Sequence, residues 1–190
     1  MPIYIIEHLE PKLWPWCVME YKHISRLVGK SNLLITNIKS NSDKAKLSKY
    51  AKVLKQSVSS LMLNRACVLD PEAAKLLSPK TAKKCKYFIF GGILGDYPPR
   101  KRTKAEPTSK LKGIPSFNIG KEQMSTDNAV YTVNSIVKGK PLSEIHFQQG
   151  LEIKISKTAS IELPYRYILV KGKPLISKGL INYLKKKKSF

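Results

Sequence analysis

A glycine-rich run placed directly after a buried strand is the part of this chain best suited to hold a ligand. Tyr87-Phe88-Ile89-Phe90 reads as a short strand. It runs into Gly91-Gly92-Ile93-Leu94-Gly95-Asp96, then Pro98-Pro99 and the basic cluster Arg100-Lys101-Arg102. Ligands of open α/β sheets sit just beyond the carboxyl ends of strands. Glycines at that place let main-chain groups approach a ligand with no side chain in the way. Two more stretches carry small and polar residues after predicted strands. One is 120–127, with Gln123, Met124, Ser125, Thr126 and Asp127; the other is the predicted loop Leu163-Pro164-Tyr165-Arg166-Tyr167. If their strands are neighbours, the three meet at one rim and form one pocket. Neither the G-x-G-x-x-G fingerprint nor the G-x-x-x-x-G-K-[ST] phosphate loop occurs. His8, His23 and His146 have no close partner at metal-ligand spacing, which speaks against a metal centre.

The elements that must position these residues alternate along the chain. Residues 3–7, 33–36, 65–69, 87–90 and 116–119 read as strands, with further strand-like stretches at 145–147, 151–155 and 167–170. Pro15 suits the first turn of a helix reaching about residue 27, which Gly29 stops. Asp43 is the expected cap of a lysine-rich helix running to about residue 54. Shorter helices are expected near 61–63 and 72–77. Ser125 or Thr126 opens a helix to about residue 137, whose Ala129, Val130, Val133 and Val137 form an apolar stripe. A last amphipathic helix spans about 177–187. Strands alternating with helices predict a mostly parallel α/β sheet with helices on both faces, as one domain over residues 1–190. The stretch 91–113 is too long to be an idle connection.

Composition narrows the partners. Lys and Arg number 35 against 13 acids, a net charge of +22, and only five of the bases are arginine. Lysines are compact charges suited to phosphate backbones, so the balance points to RNA, ribosomes or ribosome-bound substrates. Thirteen acids cannot pair with 35 bases, so an ion-pair network does not account for it. Cys17, Cys67 and Cys85 form no C-x-x-C pair and read as small buried residues. No secretory signal or membrane span is expected, which predicts a cytoplasmic protein.

The blocks FGGILGDYPPRKRT, GKEQMSTDNAV and ELPYRY, with YIIEHLE near the start and Trp16-x-x-x-Glu20-Tyr21, resemble the DUF431-type SPOUT methyltransferases. The resemblance covers nearly the whole chain and is weakest between about residues 37 and 64. Where the family pattern is more acidic after its Pro-Pro-Arg, Lys101 follows Arg100 here. The resemblance implies a SPOUT-type parallel sheet flanked by helices, with a C-terminal trefoil knot, a rare exception to the no-knot rule. It also implies S-adenosylmethionine as cofactor. Gly91, Gly92 and Gly95 would then give close main-chain approach, so a Gly92→Val side chain would block the site. Ile93, Leu94 and Leu163 would wall the adenine. Gln123, Met124, Thr126, Pro164, Tyr165 and Arg166 would complete the cofactor site, with Asp127 a further polar candidate.

Methyl transfer to a guanidinium, base nitrogen or hydroxyl needs positioning and the loss of a proton. Glu7, Asp96 and Asp127 are the acids expected to orient the acceptor or take that proton. Arg100, Lys101 and Arg102, continued by Lys104, are expected to contact substrate. Two acceptors follow from the resemblance and the charge: an arginine of a ribosomal protein, or ribosomal or transfer RNA. A non-catalytic RNA- or ribosome-binding module is the third possibility. An arginine acceptor calls for a carboxylate-lined pocket, an RNA acceptor for an uninterrupted basic surface. SPOUT enzymes usually dimerise while the fungal arginine-modifying relatives are monomeric, so monomer and homodimer both stay open. No membrane partner is expected.

Overall fold

The computed structural model describes residues 1–94, 108–156 and 159–186. Six parallel strands form one sheet in the order β3-β2-β1-β5-β4-β6. They are β1 (Ile3–His8), β2 (Leu33–Thr36), β3 (Lys52–Val53), β4 (Ala66–Leu69), β5 (Tyr87–Gly92) and β6 (Ser116–Phe117). β1 and β5 are central and pair from Ile3 opposite Tyr87 to His8 opposite Gly92. The central strands are near-continuous apolar runs because both faces of a parallel sheet are covered.

The two coverings differ. Tyr4, Ile6, Phe88 and Phe90 point to one face, where α1 (Pro15–Val28), α2 (Asn41–Leu47), α3 (Pro79–Ala82) and α4 (Thr126–Val137) pack. Ile5, Val68 and Ile89 point to the other, covered by Val58, Leu61, Leu63, Leu111 and Ile114. On this second face the described residues supply the 3-10 helix Val58–Ser60, extended segments and the helical residues 108–110 that lead into Leu111. The expected helix near 61–63 is absent there, and a short 3-10 turn at Val58–Ser60 precedes it.

α1 starts at Pro15 and ends where Gly29, at φ +88°, turns the chain away. α2 is shorter than predicted. Ser40, not Asp43, caps it, accepting from the Asp43 amide at 3.3 Å. The chain then leaves the helix so that Val53 can enter the sheet beside Ile35. Residues 72–77 form turns rather than a helix, with Leu76 bridging to Asn118.

The C-terminal part departs most from expectation. β7 (Phe147–Lys154), β8 (Ser160–Val170) and β9 (Lys173–Pro174) form a separate antiparallel sheet. Pro164 argues against a strand through 163–167, yet β8 runs straight through it. A register shift between Gln149 and Leu151 absorbs the proline, and Gln149 Nε2 donates to the Pro164 carbonyl at 2.8 Å. The predicted loop is therefore a bulged strand. α5 (Lys178–Lys186) buries Leu180 and Leu184 against Leu163, Tyr167, Trp16 and Met19. No helix among the described residues is long and apolar enough to cross a membrane.

Candidate functional site

The carboxyl ends of β1 and β5, the start of α4 and the middle of β8 converge. Arg166 ties two of them: its amide donates to the Gln123 carbonyl at 2.8 Å, and its Nη1 donates to Glu122 at 2.8 Å. The guanidinium also stacks 4.0 Å above the Phe147 ring. Gly120 sits at φ +108°, a conformation that favours glycine, and a Cβ there would lie 2.6 Å from Arg166 Nη1, the movable end of a long side chain. Leu94 and Met124 pack against the same core from β5 and from the loop before α4. Ile93, Leu94, Met124, Pro164 and Tyr165 are all half-buried. The 120–127 and 163–167 segments are thus joined, and Leu94 beyond β5 packs on the same core. Leu163 is buried and lies with Tyr165 in the cluster under α5.

Glu7 lies at the end of β1, on the face away from α1 and α4. The buried carboxylate accepts from Ser57 Oγ at 2.6 Å, from the Val58 amide at 2.9 Å, and from Thr36 Oγ1. It lines a cleft of about 340 Å³ together with Glu10, Asn37, Ser57, Ser59 and Lys110. Glu10 also accepts the Leu94 amide at 3.1 Å, so the cleft and the glycine-rich segment share a wall. Nothing in the spacing of Glu7 and Glu10 marked the second acid; it emerges because the chain turns at Leu9, whose amide reaches the Gly92 carbonyl at 3.2 Å.

Asp127 lies on the opposite face of the sheet from Glu7. Its Oδ2 pairs with His23 Nδ1 at 2.7 Å, and its Oδ1 accepts from Ser125 Oγ at 2.6 Å and from the Asn128 amide at 2.9 Å. Oδ2 ties α4 to α1 through His23, and Oδ1 caps the start of α4 through Ser125 and Asn128. Asn128, fully buried, completes the fastening. It accepts the Ile168 amide at 2.9 Å and donates to the Leu175 carbonyl at 3.0 Å. An asparagine one step from an apolar stripe was the only sequence signal for it.

Glu20, within the Trp16-x-x-x-Glu20-Tyr21 segment, is the acid that sequence reasoning left without a role. It is buried, and Trp16 Nε1 donates to it at 2.9 Å. Burial first, then repulsion from Asp127, lifts its carboxyl to about 8, against smaller opposing bonds from Trp16 and Thr126. The native state therefore holds a proton that the unfolded chain has lost above about 4.5. This contribution to stability is full below that pH and is lost as pH rises through about 8. Glu20→Gln, which cannot ionise, is expected to gain on the wild type by on the order of 3 kcal/mol between acid and mildly alkaline pH. Paired urea denaturations across that window read the difference; parallel pH profiles for the two proteins would contradict it.

Gly92 is small for a reason the sequence did not show. A Cβ there would lie 2.6 Å from the Tyr21 hydroxyl, 2.8 Å from Ile6 Cγ2 and 3.0 Å from the Glu7 carbonyl. The space that a side chain would need at Gly92 is filled by the protein itself. The Tyr21 hydroxyl sits 2.8 Å from His8 Nδ1, while the buried His8 Nε2 has no hydrogen-bond partner among the described residues. Burial holds the His8 pKa below its usual value, favouring the neutral ring. The half-buried Gly91 would place a Cβ 3.1 Å from Ile93 Cδ1. Gly95, Asp96, Arg100, Lys101, Arg102 and Lys104 lie outside the described residues.

Comparison with known proteins places the chain in a family. Residues 3–189 match the family described as Protein arginine N-methyltransferase SFM1-like. Protein arginine N-methyltransferase SFM1 of Saccharomyces cerevisiae is 36% identical over 96% of this chain and 94% of its own length. The crystal structure of that yeast enzyme complexed with SAM superposes at a TM-score of 0.88 and 35% identity, covering 98% of this chain and 91% of the other. The dual-specific Trm10 of Thermococcus kodakaraensis matches at a TM-score of 0.58 and 19% identity, covering 76% of this chain and 96% of the other, a likeness of fold alone. By its sequence along nearly its whole length and by its fold, the chain belongs to the SFM1-like family of protein arginine N-methyltransferases.

Proposed function

We propose that the protein is an S-adenosylmethionine-dependent methyltransferase whose acceptor is an arginine of a protein of the translation apparatus. The observation that carries the acceptor is the cleft. In a chain of net charge +22, Glu7 and Glu10 face one cavity beside the glycine-rich segment. A cationic guanidinium is stabilised by paired carboxylates in a partly desolvated site, whereas a nucleic-acid backbone would be repelled there. The cationic surface supports a ribosomal setting for the substrate, and with it a cytoplasmic location.

The residues at the rim fit the cofactor. Half-buried Ile93, Leu94, Met124 and Tyr165 offer the apolar cover that a flat purine needs, beside Gly91 and the main chain of the β5 terminus. Gln123 and Thr126 stand at the start of α4, where amide dipoles favour a carboxylate. Arg166 holds the Gln123 main chain in place and is itself neutralised by Glu122, which makes it a clamp on the loop. Bound there, the sulfonium supplies an activated methyl group. The chain's own residues do the rest. Glu7 and Glu10 orient the guanidinium, Glu7 is placed to take its proton, and the cleft walls limit water at the reacting nitrogen. The knotted crossing implied by the SPOUT resemblance belongs to this reading; the hold of β8 on Gln123 before α4 and on Asn128 within it, through the Arg166 and Ile168 amides, supports it.

Calorimetry with S-adenosylhomocysteine tests the cofactor half. One saturable site is expected, weakened by at least about tenfold in Gln123→Ala if that side chain bonds the ligand. No heat in the wild type would overturn the reading.

A further inference from the structure

Six lysines, Lys39, Lys44, Lys46, Lys49, Lys52 and Lys55, fall within a short stretch that holds one acid, Asp43. All six are exposed, and the fold gathers them along one edge. β3 is the edge strand of the parallel sheet and carries Lys52. Lys39 Nζ donates to the Lys55 carbonyl at 3.2 Å, so the segments leaving β2 and β3 lie side by side. α2 buries Leu47 and leaves Lys44 and Lys46 in solvent. α1 extends the face: Ser25 Oγ donates to the Tyr50 carbonyl at 2.5 Å, Lys22 Nζ stands 5.7 Å from the Tyr50 ring, and exposed Arg26 is one turn on.

We propose that this edge is a docking face for the phosphate backbone of an RNA duplex. One lysine suffices to protect an edge strand from mispairing; six along one edge, among the described residues with Lys46 alone paired to Asp43 at 3.2 Å, leave an excess of positive charge there that gains from a polyanion. Lysine heads suit phosphates rather than base edges. The exposed large apolar side chains among the described residues, Met1, Trp14, Met62 and Leu76, all lie elsewhere in the sequence. Among the described residues the lysine segment's one aromatic, Tyr50, is half-buried beside Lys22, and Lys39 to Lys55 carries no exposed large apolar side chain. The segment therefore offers neither the stacked aromatic platform of a single-strand binder nor the apolar anchors of a protein interface or a membrane-surface helix. Asn37 and Ser57, which flank the lysine segments, line the Glu7 cleft. β3 stands two strands from β1, on the order of 10 Å. An RNA-bound particle docked here would present its protein surface to that cleft. This last point rests on the methyltransferase reading; the RNA contact does not.

Fluorescence anisotropy with a short double-stranded RNA, titrated from about 50 to about 200 mM salt, tests the face. The variant K44Q/K46Q/K49Q/K52Q/K55Q is compared with K75Q/K80Q/K83Q/K84Q/K86Q, which removes the same charge from exposed positions between β4 and β5. The first set is expected to weaken binding at least about tenfold and to flatten the log–log salt slope by about 3, the second to change affinity by less than about threefold. Lys44–Lys46–Lys49 and Lys52–Lys55 neutralised separately give partial losses, which keeps the test decisive if the full set fails to fold. Equal weakening by the two five-lysine sets would overturn the proposal. So would absence of binding by the wild type, or retained RNA binding with lost affinity for a poly-glutamate peptide or anionic vesicles.

Discussion

Glu7→Gln is expected to lower the rate of methyl transfer by about 100-fold or more while leaving S-adenosylhomocysteine affinity within about twofold. A carboxylate accepts about four hydrogen bonds. Ser57, Val58 and Thr36 supply three of them, and the cleft lies on the side that remains. Glutamine keeps the shape. Its oxygen takes the place of the Oε2 that binds the Val58 amide and Thr36, and its amide nitrogen donates to Ser57 Oγ, whose hydroxyl turns to suit. What it removes is the negative charge that holds a guanidinium and receives its proton. Glu7→Ala is a poorer probe, since it leaves a buried amide and two hydroxyls without their acceptor, costing about 1–3 kcal/mol for each. Steady-state rates on an arginine peptide, with calorimetry beside them, read the split. A Glu7→Gln enzyme with the wild-type rate would remove Glu7 from the chemistry.

Gly92→Val is expected to cost the protein most of its folding stability, on the order of 3–5 kcal/mol, against a typical total of about 5–15. The clash is with Tyr21, Ile6 and the Glu7 carbonyl, all packed where β1, β5 and α1 meet. The rigid carbonyl and the β-branched Ile6 cannot move aside as a long flexible side chain would. Gly92→Ala is expected to lose about 2 kcal/mol, and to recover part of it in a Tyr21→Phe background, where the hydroxyl at 2.6 Å is gone. Urea denaturation of the four proteins provides the cycle. A Gly92→Ala protein of unchanged stability that fails only to bind cofactor would show that a ligand, not the fold, demands this glycine.

Much of the sheet was legible because parallel strands buried on both faces are written as apolar runs. Ile3 to Ile6, Leu33 to Ile35 and Phe88 to Phe90 needed no tertiary information. What was hidden depended on contacts distant in sequence. Pro164 disguised β8, since only the shift at Gly150 on the partner strand makes a proline acceptable there. Asp43 resembled a cap because Ser40, three residues earlier, gave no sign that it would take the role. At the site, the joining of 120–127 to 163–167 was foreseen from residue types alone. The separation of Glu7 from Asp127 was not, because strand alternation sends Glu7 away from the helical face while α4 carries Asp127 onto it. Glu10, Glu20 and Asn128 were passed over for a related reason: acids and amides are common on surfaces, and only packing reveals which are buried.

Whether this chain methylates a protein arginine is decided by transfer of a labelled methyl group from S-adenosylmethionine into purified ribosomes, followed by separate protease and nuclease digestion and amino-acid analysis. The expected label survives nuclease, is released by protease, co-elutes with methylated arginine, and is lost with Glu7→Gln. Label released by nuclease instead, as methylated nucleosides, would contradict a protein acceptor.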